Sequence, residues 1–182
     1  MPLVRHQPRA AISGRAPLHV TLRLRHGCPT LRTHDVHVIV RSAIAASAVR
    51  PGFRIVHYAA LADHVHLVCE ASSADALARS VKGLAVCLAR RLNAHWRRRG
   101  RLFAGRFHAR ELCTPREVHH ALRYVLANAH HHGLVRPGEL DPCSSAAAFV
   151  AADATLETGL ARPRTWLLRT GWRRHGPLEL TR

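Results

Sequence analysis

The most constraining feature of this chain is an apolar run, Leu61–Glu70, that carries two histidines one residue apart. Its length and aliphatic content are typical of a β-strand. Successive side chains of a strand point to opposite faces, so His64 and His66 share one face. Two adjacent imidazoles begin a divalent-metal site without completing it, because a catalytic metal needs a further protein ligand and an open position. The alternative is that both are solvent-facing residues of a half-exposed strand, a coincidence that 16 histidines in the chain make easy.

The segments around this run follow an order that indicates a fold class. Strands are predicted over 18–24, 53–59, 61–70 and 107–112, and helices over 34–49, 74–96 and 114–129. Strand, helix, strand, strand, helix, strand is the order of the ferredoxin-like split βαβ fold. We therefore predict an α+β protein with an antiparallel four-stranded sheet and helices on one face. The added C-terminal helix, which bears a tyrosine, is expected across the other face.

The length of 182 residues fits one main domain with appendages. We predict a basic N-terminal arm over 1–16, a main domain over 17–135 that includes the added helix, and a basic C-terminal extension over 136–182. The five cysteines form no Cys-x-x-Cys pair, which indicates reduced thiols in a cytosolic protein. We find neither an apolar run of membrane-spanning length nor a signal-peptide core, so no membrane partner is expected.

The charge balance indicates a polyanionic partner. Lys and Arg number 28 against 11 Asp and Glu, a formal charge of +17. Nucleic acid is the commonest partner of such a chain, and the guanidinium fork of Arg suits phosphate. A GC-rich coding sequence would explain Arg in place of Lys but not the shortage of acids.

The candidate nucleic-acid contacts are basic side chains of the first strand, the long helix and the segment that follows it. A cluster of four follows the long helix, and it is either a phosphate clamp or a solvated turn that favours the helix C-terminus. The candidates are Arg97, Arg98, Arg99, Arg101, Arg106, Lys82 and Arg23.

The added helix places Tyr124 and Asn128 four residues apart on one face, with His120 one turn earlier. A phenol has an ordinary pKa of about 10, so a catalytic tyrosine needs help from its surroundings. A metal held by His64 and His66 would polarise a phosphate oxygen and bring the phosphate to the phenol, and Asn128 could supply a third ligand. The alternatives are a tyrosine that packs at the edge of the core and an asparagine that caps the helix.

Four segments resemble one known group of proteins. Asp63–Val68 resembles the His-hydrophobic-His strand of the HUH endonuclease superfamily. Arg99–Phe107 and Leu122–Asn128 resemble signatures of its single-tyrosine transposases, in particular the REP-associated tyrosine transposases. Asp141–Ser145 is similar to a segment that follows the tyrosine helix in that group. The resemblance covers residues 18–149.

The resemblance implies a metal-dependent enzyme that cuts and joins single-stranded DNA in transposition. Tyr124 would attack a DNA phosphate and form a 5′-phosphotyrosine link, while His64, His66 and Asn128 would hold Mg²⁺ or Mn²⁺. The partners would be single-stranded or hairpin DNA, recognised through backbone and unpaired bases. Residues 17–135 would be the catalytic domain, the protein a monomer or homodimer, and its location the cytoplasm, associated with the nucleoid.

Two departures from the family pattern are visible. Asp63 stands where the family usually has Asn, and a carboxylate there could orient a ligand or alter metal preference. Ala129 and the run His130–His132 replace a proline and a basic-small pair, and these histidines could compete for metal. The rival functions are a non-cleaving, domesticated protein that binds DNA hairpins and a histidine-rich metal-binding protein. The second rival fits the Arg excess poorly.

Overall fold

The computed structural model describes residues 12–151 and 159–181, and these form a sheet with helices on both faces. The strands are β1 (Leu18–Arg23), β2 (Val49–Arg50), β3 (Phe53–Ala60), β4 (His64–Ala71) and β5 (His108–Glu111). The helices are α1 (His34–Ala45), α2 (Ala74–His95), α3 (Pro115–His131), α4 (Ala146–Val150) and α5 (Trp166–Arg169), followed by a 3₁₀ helix (Gly171–His175). Most of the arm predicted over 1–16 lies outside the described residues.

The sheet confirms the α+β, ferredoxin-like prediction with one addition. Its order is β2-β3-β4-β1-β5, and every pairing is antiparallel. The strand beyond the four predicted ones is β2, whose two residues pair with the start of β3 across a turn at Pro51 and Gly52. Gly52 has a φ of 72°, a conformation that favours glycine. A two-residue strand has no periodicity, so the sequence indicated only the end of a helix here.

The α1/α2 face of the sheet is a dry hydrocarbon core. Ser73 caps α2 by accepting a hydrogen bond from the backbone N–H of Ala76. The side chains that α2 buries recur every three or four residues: Leu77, Val81, Leu84, Leu88 and Leu92. They pack against the inward residues of β1 and β4, Leu18, Val20, Leu22, Val65 and Leu67. Each fully buried side chain of this kind contributes about 1.5–3 kcal/mol.

The opposite face is covered by α3. A capping box starts this helix: Thr114 accepts from the backbone N–H of Glu117, and the Glu117 carboxylate accepts from the backbone N–H of Thr114. Its buried stripe, Val118, Leu122, Val125 and Leu126, packs on Val56, Ala59 and Val68 of the sheet. Because helices cover both faces, β4 is buried along nearly its whole length, which explains its apolar sequence.

The C-terminal part of the chain fastens α3 and the sheet together. Asp141 forms a buried, bidentate ion pair with Arg32. The carboxylate of Glu70, on β4, accepts the backbone N–H groups of Arg164 and Thr165 and the Thr165 hydroxyl. Trp172 of the 3₁₀ helix is buried in the α3 core. The helices of the described residues include none long and apolar enough to cross a bilayer.

Candidate active site

The site lies where the polar edge of the sheet meets α3. The antiparallel register pairs Thr21 with His66 and Arg23 with His64. Thr21 and Arg23 of β1 therefore lie on the same face of the sheet as His66 and His64 of β4. On this face β1 offers polar side chains, whereas its other face is entirely aliphatic. Above it, α3 places Tyr124 next to the histidines.

His66 is held in one orientation from below. Its Nδ1 lies 3.0 Å from Nε2 of His19 and 3.1 Å from the hydroxyl of Thr21. Burial lowers the pKa of His66 to about 3, with further lowering from His19 and His64. Burial likewise lowers the pKa of His19 to about 4, so both rings are neutral near pH 7. A proton on His66 Nδ1, donated to His19, leaves the lone pair on Nε2, and this buried atom has no partner within the described residues.

His64 is oriented by a carboxylate. Its Nδ1 donates to Oδ1 of Asp63 at 2.7 Å, and Asp63 also pairs with Arg23 at 3.1 Å. The hydrogen bond from His64, followed by the charge of Arg23, lowers the pKa of the Asp63 carboxyl. An ionised carboxylate behind an imidazole is the usual support of a metal-binding histidine, because it fixes the tautomer with Nε2 free. The departure at Asp63 thus has a structural role.

Tyr124 lines a cleft together with His64 and His66. Its ring centroid lies 5.2 Å from that of His66 and 5.8 Å from that of His19. Tyr124 is 48% exposed, which favours a reactive phenol over a tyrosine that only packs at the edge of the core. The cleft encloses about 610 Å³ and is lined mainly by polar side chains: His19, Thr21, Arg23, His64, His66, His108, Arg110, Glu117 and His120. Tyr124 thus lines the same cleft as His64 and His66.

Asn128 lies in the last turn of α3, and its side chain is buried without capping the helix end. The residue is 2% exposed, and neither its Oδ1 nor its Nδ2 has a hydrogen-bond partner in the described part of the chain. It shares a helix face with Tyr124 and with His132, whose charge also lowers the pKa of His66. Asn128 therefore lies, along one face of the helix, between two residues that interact with His66. A buried amide without partners is costly, which is typical of a functional group that awaits a ligand.

The donor set fits a divalent cation with oxygen and imidazole ligands. Of the residues described, no three His, Cys, Asp or Glu side chains form a ready metal cluster. The histidine pair would therefore need an oxygen donor, and the unpartnered amide of Asn128 is such a group. Borderline and hard divalent ions accept imidazole, amide and phosphate oxygen together.

The predicted basic clamp lies at the same end of the sheet as His64. The backbone of Arg25, just after β1, donates to the carbonyl of Leu102, and Ala104 donates to the carbonyl of Arg23. The turn that carries Arg97, Arg99 and Arg101, all exposed, is thus tied to the end of β1. Arg98 is different, because its guanidinium bonds Cys28 Sγ at 3.1 Å and the carbonyl of Arg101. It helps to fold the turn.

Lys82 and Arg106 are not brought to Tyr124. They rim a separate groove of about 320 Å³ between α2 and the segment before β5, with Leu22, Val81 and Phe103 among its apolar lining. This groove lies on the α1/α2 side, since Leu22 and Val81 belong to that core. Two groups of predicted DNA-binding residues therefore occupy two surfaces.

Several site residues were not singled out from the sequence as site members. Four such residues line the cleft: His19, Thr21, His108 and Arg110. Their signal was the alternation of β1 and β5, which places every second residue on the histidine face. The pairing of β1 with both β4 and β5 was needed to use that signal.

Comparisons with known proteins give a fold relationship. No protein-family model matches the chain, and no curated protein sequence does so significantly. A solved structure of a REP-associated tyrosine transposase bound to a REP hairpin is similar, with a TM-score of 0.67 and 19% identity over 88% of this chain and 93% of that one. A crystal structure of a protein inferred to be a transposase, from Deinococcus radiodurans R1, aligns over 60% of this chain and 85% of that one, with 18% identity and a TM-score of 0.44. The first of these alignments, together with the sheet and its added helix, shows that this chain has the fold of a REP-associated tyrosine transposase.

Proposed function

We propose that this protein cleaves and rejoins single-stranded DNA by transesterification, with Tyr124 as the nucleophile. The observation that supports this most is that the half-exposed Tyr124 lies 5.2 Å, ring to ring, from His66, whose buried Nε2 has no partner among the described residues. The fold is shared with a transposase solved on a DNA hairpin. A transposase of this type, acting at hairpin-containing DNA, is the function that fits the fold, the charge and the site together.

The reaction exchanges one phosphodiester for another. The Tyr124 hydroxyl oxygen forms a bond to phosphorus, the bond from phosphorus to O3′ breaks, the phenolic proton is lost and O3′ gains a proton. The product is a 5′-phosphotyrosine link and a free 3′-hydroxyl. Because the link keeps the phosphodiester bond energy, a second 3′-hydroxyl can reverse the reaction and join a new strand.

His64, His66 and Asn128 would hold the cation, Mg²⁺ or Mn²⁺. When bound, such an ion withdraws charge from a phosphate oxygen and orients the phosphate. The chain's own groups supply the rest: Asp63 and His19 fix the two imidazoles, and burial keeps both rings of the His19–His66 pair neutral. Neutral imidazoles can serve as ligands without first losing a proton.

The basic surface would hold the DNA outside the cleft. Arg97, Arg99 and Arg101 lie near the end of β1, where Arg23 also rims the cleft, so they can contact the strand or stem that enters it. The division into an arm over 1–16, a catalytic domain over 17–135 and an extension over 136–182 remains part of the proposal. So do the monomeric or homodimeric state and a cytoplasmic, nucleoid-associated location.

The experiment is a covalent-adduct assay. The protein is incubated with a labelled hairpin oligonucleotide and Mg²⁺ or Mn²⁺, and a denaturant-resistant DNA–protein band is sought. We expect the band with the wild type and its absence with Tyr124→Phe, which should still bind the hairpin. Undiminished adduct in the variant would refute the role of Tyr124.

The same assay separates the alternative function. A domesticated protein that binds hairpins without cutting them would give hairpin affinity but no adduct with either metal. Tyr124, His64 and His66 line one cleft, which favours the enzyme, and Asn128 lies one helical turn after Tyr124 on α3.

A further inference from the structure

A second cleft opens on the other side of Tyr124. It lies between α3 and the C-terminal segment that follows α5, and it encloses about 750 Å³. This volume is in the range of ligand pockets, about 300–1,000 Å³. His120 and Tyr124 line both this cleft and the histidine cleft on the sheet. The two spaces therefore meet at the nucleophile, and we name the second one the α3/C-terminal cleft.

The lining of the α3/C-terminal cleft favours an anionic ligand. Its basic and imidazole groups outnumber its one carboxylate, that of Glu179. The remaining polar and small residues come from both walls: His119, Arg123, Ala127, Asn128, His130 and His131 from α3, and His175 and Pro177 from the C-terminal segment. Guanidinium and imidazole N–H groups donate to phosphate oxygens, and imidazole rings also stack on bases.

The second wall of this cleft is firmly built. His119 of α3 packs against Trp172 and His175, with ring centroids 6.5 Å and 5.9 Å away. Trp172 is 8% exposed, and its indole N–H donates to the carbonyl of Leu168. The C-terminal segment is thus packed on α3, so the cleft is a lasting feature of the fold.

The in-line geometry of the reaction assigns one cleft to the DNA on each side of the scissile phosphate. In phosphoryl transfer the attacking and leaving oxygens lie roughly opposite each other. With the phosphate above His64 and His66 and the phenol on α3, the leaving O3′ points away from α3. The strand that ends in O3′ would then run along the histidine cleft, whose lining includes Arg23. The other strand segment remains joined to Tyr124 and needs space on the side of α3.

We propose that the α3/C-terminal cleft binds the single-stranded DNA segment that stays covalently attached to Tyr124, the nucleotides on the 3′ side of the scissile phosphate. This assignment rests on the proposed function and deepens it. Arg123, adjacent to the nucleophile, and His175, on the opposite wall, bind the phosphates of this segment. Holding the attached strand while the 3′-hydroxyl strand leaves preserves the intermediate for joining.

The test measures binding without cleavage. Two labelled hairpin oligonucleotides are compared in EDTA by fluorescence anisotropy, one with and one without a single-stranded tail on the 3′ side of the scissile phosphate. A few phosphate contacts should make the tail worth about tenfold in wild-type affinity. Arg123→Gln combined with His175→Gln should remove most of that gain and leave the affinity for the tailless hairpin unchanged.

The matched control is Arg116→Gln, which removes an exposed arginine of the same helix that lines neither cleft. This variant should keep the full gain from the tail. An absent tail effect in the wild type, or an equal loss in both variants, overturns the strand assignment. Adduct formation through Tyr124 is scored separately, so adduct without a tail effect leaves the proposed function standing and removes only this inference.

A photo-cross-linking variant tests the same strand assignment without changing the basic side chains. Ala127→p-benzoylphenylalanine places a photoreactive ring on the wall of the α3/C-terminal cleft. Mapping the cross-linked nucleotide should place it on the 3′ side of the scissile phosphate. A cross-link to the 5′ side, or none to DNA, contradicts the proposal.

Discussion

The two faces of the sheet are built on opposite principles. On the α1/α2 face, side chains such as Leu67 and Val20 are fully buried among aliphatic neighbours. On the α3 face, the adjacent residue His66 is just as buried, at 3% exposure, yet one of its nitrogens has no partner within the described residues. Both faces bury apolar side chains, but the α3 face also buries polar atoms of His66, His119 and Asn128 that have no partner among the described residues, and such atoms are costly.

The difference shows how one strand can serve two purposes. Because β4 alternates its side chains, His64 and His66 face α3 while Val65 and Leu67 face α1 and α2. The dry core can therefore compensate for the cost of burying neutral imidazoles only one residue away. Substitutions on adjacent residues should consequently separate activity from stability.

His66→Gln should give the largest effect. We expect adduct formation to fall by more than about 100-fold, because the metal loses a buried ligand, while the free energy of unfolding changes by less than about 1 kcal/mol. Adduct yield and urea denaturation measure the two quantities. A large loss of stability with normal activity per folded molecule would reverse the comparison.

Leu67→Ala should do the opposite. Truncating a fully buried leucine in the α1/α2 core should lower the free energy of unfolding by about 2–5 kcal/mol. Adduct yield per folded molecule should remain within about twofold of the wild type at low temperature. A specific loss of adduct in folded protein would show that the two faces are coupled.

Asp63→Asn tests the support of the metal ligand. This substitution replaces the carboxylate that accepts the hydrogen bond from His64 with a neutral amide. The Mn²⁺ affinity, measured by calorimetry, should fall by about 10–100-fold. Arg23→Gln, which removes the other partner of Asp63, is the comparison variant and should change Mn²⁺ affinity far less. Equal effects would place the role of Asp63 in the ion pair with Arg23.

The partly buried His57 on the α3 side should make stability depend on pH. Burial lowers its pKa from 6.5 to about 4, and it packs beside Ser145 and Phe149. The unfolded chain binds a proton below pH 6.5 and the folded chain does not, so stability falls as the pH falls through this window. Its share should be about 2 kcal/mol between pH 7 and pH 5. His57→Gln should flatten the pH profile by that amount in denaturation experiments, and an unchanged slope would refute it.

Thr114→Ala should give the smallest effect. It removes the side-chain cap of α3 and should cost about 1 kcal/mol of stability. Thr114→Ser keeps the hydroxyl and is the control. Because the cap lies more than two turns before Tyr124, adduct yield per folded molecule should be unchanged, and a larger loss of adduct would indicate fraying that reaches the phenol.

The regular elements were predictable because their signals are local. The apolar spacing of α2 and the capping residues of α3 correspond to a buried stripe and a capping box. The shared face of His64 and His66 follows from strand geometry, and that of Tyr124 and Asn128 from helix geometry. The short strand β2 was missed because two residues carry no pattern. The guanidinium of Arg98, a predicted DNA contact, donates to Cys28 Sγ and to the carbonyl of Arg101, and only the tertiary structure brings Cys28 to it.

The sequence by itself determined which groups could do chemistry: a histidine pair on one strand face and a phenol and an amide on one helix face. Tertiary structure alone decided that these faces meet, that His19 and Thr21 orient His66, and that a second cleft opens beyond Tyr124. The physical reason is the distance along the chain between the residues that determine each feature. Periodicity is fixed by neighbouring residues, whereas strand register and helix docking join segments that are 40 or more residues apart, such as His19 with His66.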